Sequence, residues 1–147
     1  MTNNDPKGSF IRWQSITIAQ LTYAVNLILG FSVAALAFQV ATLLNENFKP
    51  VSWQKYTFLL SLVILLASVG FGLWCVINRL RDFRATKTVA RMREEGKSEK
   101  EMEPFRTLYK KLGKNTWLLF WWQIGTFGVG VLLLIFGVAG SVLEKLL

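Results

Sequence analysis

The sequence contains no histidine, a single cysteine and only nine acidic residues among 147. Without histidine, the chain has no imidazole to bind a metal or to act as a general base near neutral pH. One cysteine, Cys75, excludes a disulfide within the chain. The sequence also has no phosphate-binding loop and no nucleophile elbow. We therefore expect a protein that is not an enzyme and that holds no cofactor and no metal.

Charged residues are missing from three long stretches of the chain, residues 13–45, 56–78 and 115–143. A bilayer core is about 30 Å thick, so a helix that crosses it needs about 20 apolar residues. Each stretch exceeds that length, and 52% of the whole chain is hydrophobic. The sequence therefore predicts an all-α membrane protein with three transmembrane helices. The predicted spans are residues 14–44, 56–78 and 116–142.

The net charge is +8, and 12 of the 17 basic residues lie between Arg79 and Lys114. Short loops rich in Lys and Arg are retained in the cytoplasm. Residues 79–115 are therefore predicted to form a cytoplasmic hairpin, with the N-terminus inside and the C-terminus outside. We expect residues 1–9 to be a flexible polar tail and residues 10–147 to form one membrane domain. Charged flanks that lie close to the spans favour a bacterial inner membrane.

The basic hairpin is predicted to consist of two helical arms. Neither Gly nor Pro interrupts residues 78–95, so the second span continues as a helix, and Gly96 is a typical stop signal. Ser98 and Glu101 have the spacing of a capping box, in which each side chain binds the backbone N–H of the other residue. This pattern predicts a turn near residues 96–98 and a new helix after it.

Basic side chains recur on one face of each arm, and we regard them as candidates for binding a partner or lipid. They are Arg81, Arg84, Lys87, Arg91, Arg106, Lys110 and Lys114. They fit three interpretations: topology signals on solvated faces, attraction to anionic lipid headgroups, or recognition of a phosphorylated ligand or a cytoplasmic protein with an acidic surface. We expect no nucleic-acid partner, because the sequence contains no recognised binding module.

Small and polar residues recur at near-heptad spacing in each predicted span. The candidates for close helix packing are Gly30, Ala34, Ala37, Ser68, Gly72, Gln123, Thr126, Gly130, Gly137 and Gly140. Helices in lipid associate through close backbone contact and hydrogen bonds, which small residues permit. The stripes are typical either of a three-helix bundle within one chain or of a homo-oligomer or membrane complex that packs through the third helix.

Two functional hypotheses follow from these patterns. In the first, the protein is a small oligomerising membrane scaffold or accessory subunit that presents the basic hairpin to a protein partner or anionic lipid. In the second, an oligomer forms a pore lined by Gln20, Gln39 and Gln123 and gated at the hairpin. Channels can be built without charge inside the membrane, since polar and hydrophobic constrictions suffice.

Overall fold

The computed structural model describes residues 6–45, 48 and 50–146, and the side chains of residues 15–45, 48 and 50–140. This part of the chain forms three α-helices: α1 Pro6–Leu43, α2 Ser52–Glu94 and α3 Glu99–Leu146. At 1.5 Å per residue the helices are about 57, 65 and 72 Å long. All three are long and apolar enough to cross a membrane, as the sequence predicts.

The helix α1 begins earlier than the sequence suggests. It starts at Pro6, so residues 6–9 of the predicted tail form its first turn. Proline suits the first helical position because it lacks an N–H that would have no partner there and because its φ is already helical. Residues 1–5, the rest of the predicted tail, lie outside the described residues.

A tight turn joins α2 to α3. Gly96 has a left-handed φ of 71°, its amide donates to the carbonyl of Arg93 (3.1 Å), and the Lys97 amide donates to that of Met92 (3.0 Å). This pair of bonds is a Schellman motif, which satisfies the last carbonyls of a helix and favours glycine at the left-handed position. The turn sends the chain directly into α3.

The start of α3 is closed by the predicted capping box. The backbone N–H of Ser98 donates to the Glu101 carboxylate (2.9 Å), and the Glu101 N–H donates to the Ser98 hydroxyl (3.4 Å). Replacing Ser98 with alanine is expected to destabilise the first turn by about 1 kcal/mol. Amide exchange at residues 99–102 would then be several times faster, whereas Thr107→Ala, which removes a bond within the helix, would leave it unchanged.

The same capping box makes the first turn of α3 sensitive to pH. Hydrogen bonds from the Ser98 backbone and hydroxyl lower the pKa of the Glu101 carboxyl. Its contribution is therefore present above the pKa of the unfolded chain and is lost as the pH falls through the folded pKa. The protection factor of an amide is its exchange rate in the unfolded chain divided by its rate in the protein. Protection factors at residues 99–102 that stay constant as the pH falls through the pKa of Glu101 would contradict this assignment.

The antiparallel helices α2 and α3 form the most extensive interface of the molecule. Their buried residues recur about every 3.5 positions, which is the spacing of a left-handed coiled coil. On α2 they are Gln54, Phe58, Ser61, Leu65, Ser68, Gly72, Cys75, Asn78, Ala85 and Val89. On α3 they are Met102, Leu112, Thr116, Gln123, Gly130, Leu134 and Gly137. The same seam therefore joins the apolar spans and the polar hairpin.

The helix α1 packs mainly on α2 and less on α3, and polar bonds attach it at four positions spaced by seven residues. At one end of the bundle Arg79 donates to the Ile18 carbonyl, and one step further Gln123 Nε2 donates to the Val25 carbonyl (3.3 Å). The Ser32 and Ser68 hydroxyls form the third bond (3.2 Å). At the other end Gln39 Nε2 donates to the Phe58 carbonyl (2.6 Å). Ile18 is near the start of α1 and bonds to Arg79, which precedes the hairpin. The N-terminal end of α1 and the hairpin are therefore at the same end of the bundle.

Candidate functional site

The predicted packing residues of α2 and α3 lie where these helices approach most closely. A Cβ added at Gly130 would lie 2.8 Å from the Leu65 side chain, and one at Gly72 would lie 2.6 Å from Gln123 Nε2. A Cβ added at Gly137 would lie 3.1 Å from the Phe58 ring, and one added at Gly140 would lie 2.7 Å from the Trp53 ring. Ser68 and Gln123 are fully buried, and Thr126 is half-buried. The structure brings these residues together in one interface.

The predicted stripe on α1 lies elsewhere. Gly30, Ala34 and Ala37 are exposed, and nothing lies within 4 Å of a Cβ added at Gly30. The face that contacts the other helices instead carries Ser32 and Gln39, both 0% exposed. The reason is that polar groups in lipid need hydrogen-bond partners, and the Ser32 hydroxyl and the Gln39 amide nitrogen find theirs on α2. That requirement outweighs the smallness of the neighbouring residues in fixing the rotation of α1.

The three amides proposed to line a pore do not share a space within the chain. Gln39 and Gln123 are fully buried and donate to backbone carbonyls of neighbouring helices. Gln39 is on α1, and Gln123 contacts α1 at Val25, so the two amides are about 21 Å apart along this helix. Gln20 is exposed on α1. Within the described bundle these amides hold helices together, which is the usual role of polar side chains in membranes.

The candidate binding residues of the hairpin lie on its outer surface. Six of them are exposed, namely Arg81, Arg84, Lys87, Arg91, Lys110 and Lys114, and Arg106 is half-buried. Two form ion pairs near the tip, Arg91 with Glu95 (2.8 Å) and Arg106 with Glu99 (3.4 Å). The inward faces of the two arms carry buried apolar residues, among them Val89 and Met102. The arms thus pack on each other and present their basic residues outward.

A shallow groove runs between the arms on one side of the hairpin. It has a volume of about 290 Å³, its walls include Phe105 and Leu108, and Arg81 and Arg84 lie at its rim. These two arginines therefore share one surface, while Lys87 and Arg91 lie further toward the tip. The groove combines an apolar floor with positive charge at its edge.

Sequence reasoning missed the role of Arg79, which it counted only as one member of a basic run. The side chain of Arg79 turns back toward the bundle, donates to the Ile18 carbonyl and lies with its guanidinium carbon 5.6 Å from the centre of the Phe83 ring. It borders a cleft of about 320 Å³ between α1 and α2. The available signal was its position, since Arg79 is the first charged residue after an apolar run.

Comparison with known proteins gives no relative from which a function could be inferred, so the proposal below depends on the geometry of the helices. The chain matches no protein-family model, and neither a curated protein nor a solved structure is significantly similar to it.

Proposed function

We propose that the protein is a small scaffold or accessory subunit of a bacterial inner membrane, whose basic hairpin projects into the cytoplasm. The observation that supports this proposal is the continuity of α2 and α3, which run from the spans into the hairpin along one packed seam. The α2 arm extends from Asn78 to Glu94, about 24 Å beyond the apolar run. A hairpin held in this way presents its charges at fixed heights above the membrane.

Those heights divide the basic residues into two groups. The polar layer on each side of a bilayer core is about 5–8 Å deep, and on α2 Arg81 lies about 5 Å beyond Asn78 and Arg84 about 9 Å beyond it. Lys87 and Arg91 lie about 14 and 20 Å beyond Asn78. Anionic headgroups are within reach of the lower group, which also includes Lys110 and Lys114. The upper group, with Arg106, is placed to meet a soluble acidic protein or a phosphorylated ligand.

Assembly into a homo-oligomer or a membrane complex is the second part of the proposal. The small residues of α1 that the bundle leaves outside, Gly30, Ala34 and Ala37, permit close approach by a helix of another subunit. The pore hypothesis has less support, because Gln39 and Gln123 are buried and their amide nitrogens already donate to backbone carbonyls within the bundle. Ion flux through proteoliposomes of the purified protein would reverse this preference.

The test of the scaffold function removes charge from the upper group alone. In a Lys87→Gln/Arg91→Gln variant, we expect cross-linking to the cytoplasmic partner to fall about tenfold, because both cations would contact its acidic groups. Arg91→Lys should lose part of this binding, since lysine lacks the planar fork that binds a carboxylate or phosphate with two hydrogen bonds. The measurement is quantitative mass spectrometry of proteins cross-linked in intact cells.

A Lys97→Gln/Lys100→Gln variant is the matched control, because it removes two exposed charges at the tip. Its membrane insertion and cross-linked proteins should be those of the wild type. The scaffold hypothesis fails if no protein is lost specifically from the Lys87/Arg91 variant while that variant inserts normally.

A further inference from the structure

The cleft between α1 and α2 runs parallel to the helix axes. On α1 it extends from Ser15 to Asn26, a length of about 17 Å. On α2 it extends from Cys75, within the second apolar run, to Phe83, beyond the end of that run. The cleft therefore begins inside the membrane and ends at the height of the headgroups.

The cleft exists because one of its walls is made of short side chains. On α1 these are Ser15, Ala19, Thr22 and Asn26, which recur along one side of the helix. The larger side chains of Val76, Leu80 and Phe83 line the opposite wall. The helix α1 is bonded to α2 at Ile18 and to α3 at Val25, and the cleft lies beside these contacts. The exposure of Leu80 (57%) and Phe83 (48%) shows that this space is open on the outer side.

Positive charge is fixed at the headgroup end of the cleft. Arg79 is half-buried, and one of its N–H groups is held by the Ile18 carbonyl, which also accepts from the Thr22 hydroxyl (2.9 Å). A guanidinium has five N–H donors, so others remain for a ligand. No described carboxylate forms a salt bridge with Arg79. Asp82, three residues further along α2, attracts Arg79 without forming a salt bridge. The protein therefore orients the arginine and balances its charge only in part.

The geometry points to a binding site for one anionic phospholipid, with an acyl chain in the cleft and the phosphate on Arg79. An apolar cleft that ends at an oriented arginine matches the two parts of such a lipid, because the chain needs apolar walls and the phosphate needs charged N–H donors. This site requires only that the chain lie in a membrane. It is independent of whichever partner binds Lys87 and Arg91.

The test compares lipids on the purified full-length protein in neutral detergent. Added phosphatidylglycerol is expected to raise the Tm of the wild type by roughly 5 °C, because a ligand that binds only the folded state stabilises it. Phosphatidylcholine and inorganic phosphate at equal phosphate concentration should give much smaller shifts. Native mass spectrometry should show one phosphatidylglycerol retained per chain.

Two variants remove the site in different ways. Arg79→Gln removes the charge, and Ala19→Phe fills the cleft while leaving the bond between Arg79 and Ile18 in place. Both should lose the shift that phosphatidylglycerol produces. Their controls are Lys111→Gln, which removes an exposed charge of α3 that does not line the cleft, and Val40→Phe, which adds a ring at an exposed position of α1 beyond the end of the cleft. Both should keep the shift.

Several results would overturn the lipid site. Equal shifts with phosphatidylcholine would mean that the net charge is not recognised, and an equal shift with inorganic phosphate would mean that no acyl chain is bound. Loss of the shift in Lys111→Gln would assign the effect to general headgroup attraction. If Arg79→Gln does not fold, Ala19→Phe decides, since a filled cleft that still responds to phosphatidylglycerol excludes the site.

Discussion

Gly130→Leu is expected to separate α2 from α3 and to lower the stability of the helix pair by about 3 kcal/mol. A Cβ at this position would lie 2.8 Å from two side-chain atoms of Leu65 and 3.4 Å from the Leu65 backbone nitrogen. Leu65 is fully buried, so it has no space into which to move. One of the two side-chain atoms is Cγ, close to the backbone of Leu65, so moving only the end of that side chain does not relieve the overlap.

The same substitution also disturbs a hydrogen bond. The Ser61 hydroxyl donates to the Gly130 carbonyl at 2.8 Å, and Ser61 is fully buried. Moving the helices apart would leave that hydroxyl without its partner on α3, which is costly in a medium without water. The overlap and the lost bond act in the same direction, so the effect exceeds that of an ordinary core substitution.

Gly128→Leu is the matched control, because it lies two residues away on the same helix and nothing is within 4 Å of a Cβ there. Thermal unfolding in detergent, followed by tryptophan fluorescence, should show a Tm several degrees lower for Gly130→Leu than for Gly128→Leu. Similar midpoints for the two variants would show that the glycines of α3 do not fix the distance between α2 and α3.

The sequence predicts the three apolar helices well because each signal is long. Runs without charge set the helices of the spans, and the absence of Gly and Pro before Gly96 predicts the continuation of α2. The capping box at Ser98 and Glu101 also forms as predicted, since its bonds depend only on residues three positions apart. Local chemistry therefore accounts for both ends of the turn between α2 and α3.

The rotation of α1 is harder to predict from the sequence. Small residues and polar residues each mark a possible contact face, and on α1 they mark different faces, with Gly30 on one and Ser32 on the other. On α2 the two signals coincide, because Ser61, Ser68 and Gly72 lie on the same seam. The conflict on α1 is decided by bonds to residues far away in the chain, such as Ser68 and Phe58. No pattern within α1 contains that information.

The position of Arg79 is unpredictable for a related reason. In the sequence it is one of many basic residues after the second span, and its neighbours Arg81 and Arg84 point outward to solvent. The helical period turns Arg79 toward α1 and Arg81 away from it, which becomes visible only once the contact of α1 with Ile18 is known. The candidate lipid site thus depends on tertiary packing rather than on composition.

Ser32→Leu is expected to displace α1 from α2, and Gly30→Leu, two residues away, is expected to leave it in place. Ser32 is 0% exposed and its hydroxyl is 3.2 Å from that of Ser68. A leucine there introduces overlap and removes a hydrogen bond, which together cost about 2 kcal/mol. Gly30 faces open space, so a side chain at that position meets no helix of the same chain.

The buried thiol of Cys75 reports this displacement. Cys75 is the only cysteine of the chain, is 1% exposed and lines the cleft beneath α1. Its thiol donates to the Thr116 carbonyl of α3 (3.6 Å), and α1 covers the side of Cys75 that faces the cleft. Displacement of α1 exposes that side, so the rate of labelling by a membrane-permeant maleimide is expected to rise with the population of the open state. A cost of about 2 kcal/mol corresponds to labelling about thirtyfold faster.

The comparison of the two leucine variants also decides between the two faces of α1. Faster labelling in Ser32→Leu, with a wild-type rate in Gly30→Leu, is the result expected from the bonds that Ser32 and Gln39 make to α2. The opposite order would mean that the small-residue face of Gly30 and Ala34 packs inside the bundle, as the sequence alone suggests. Equal and slow labelling in both would mean that the remaining ties at Ile18, Val25 and Gln39 hold α1 without help from Ser32.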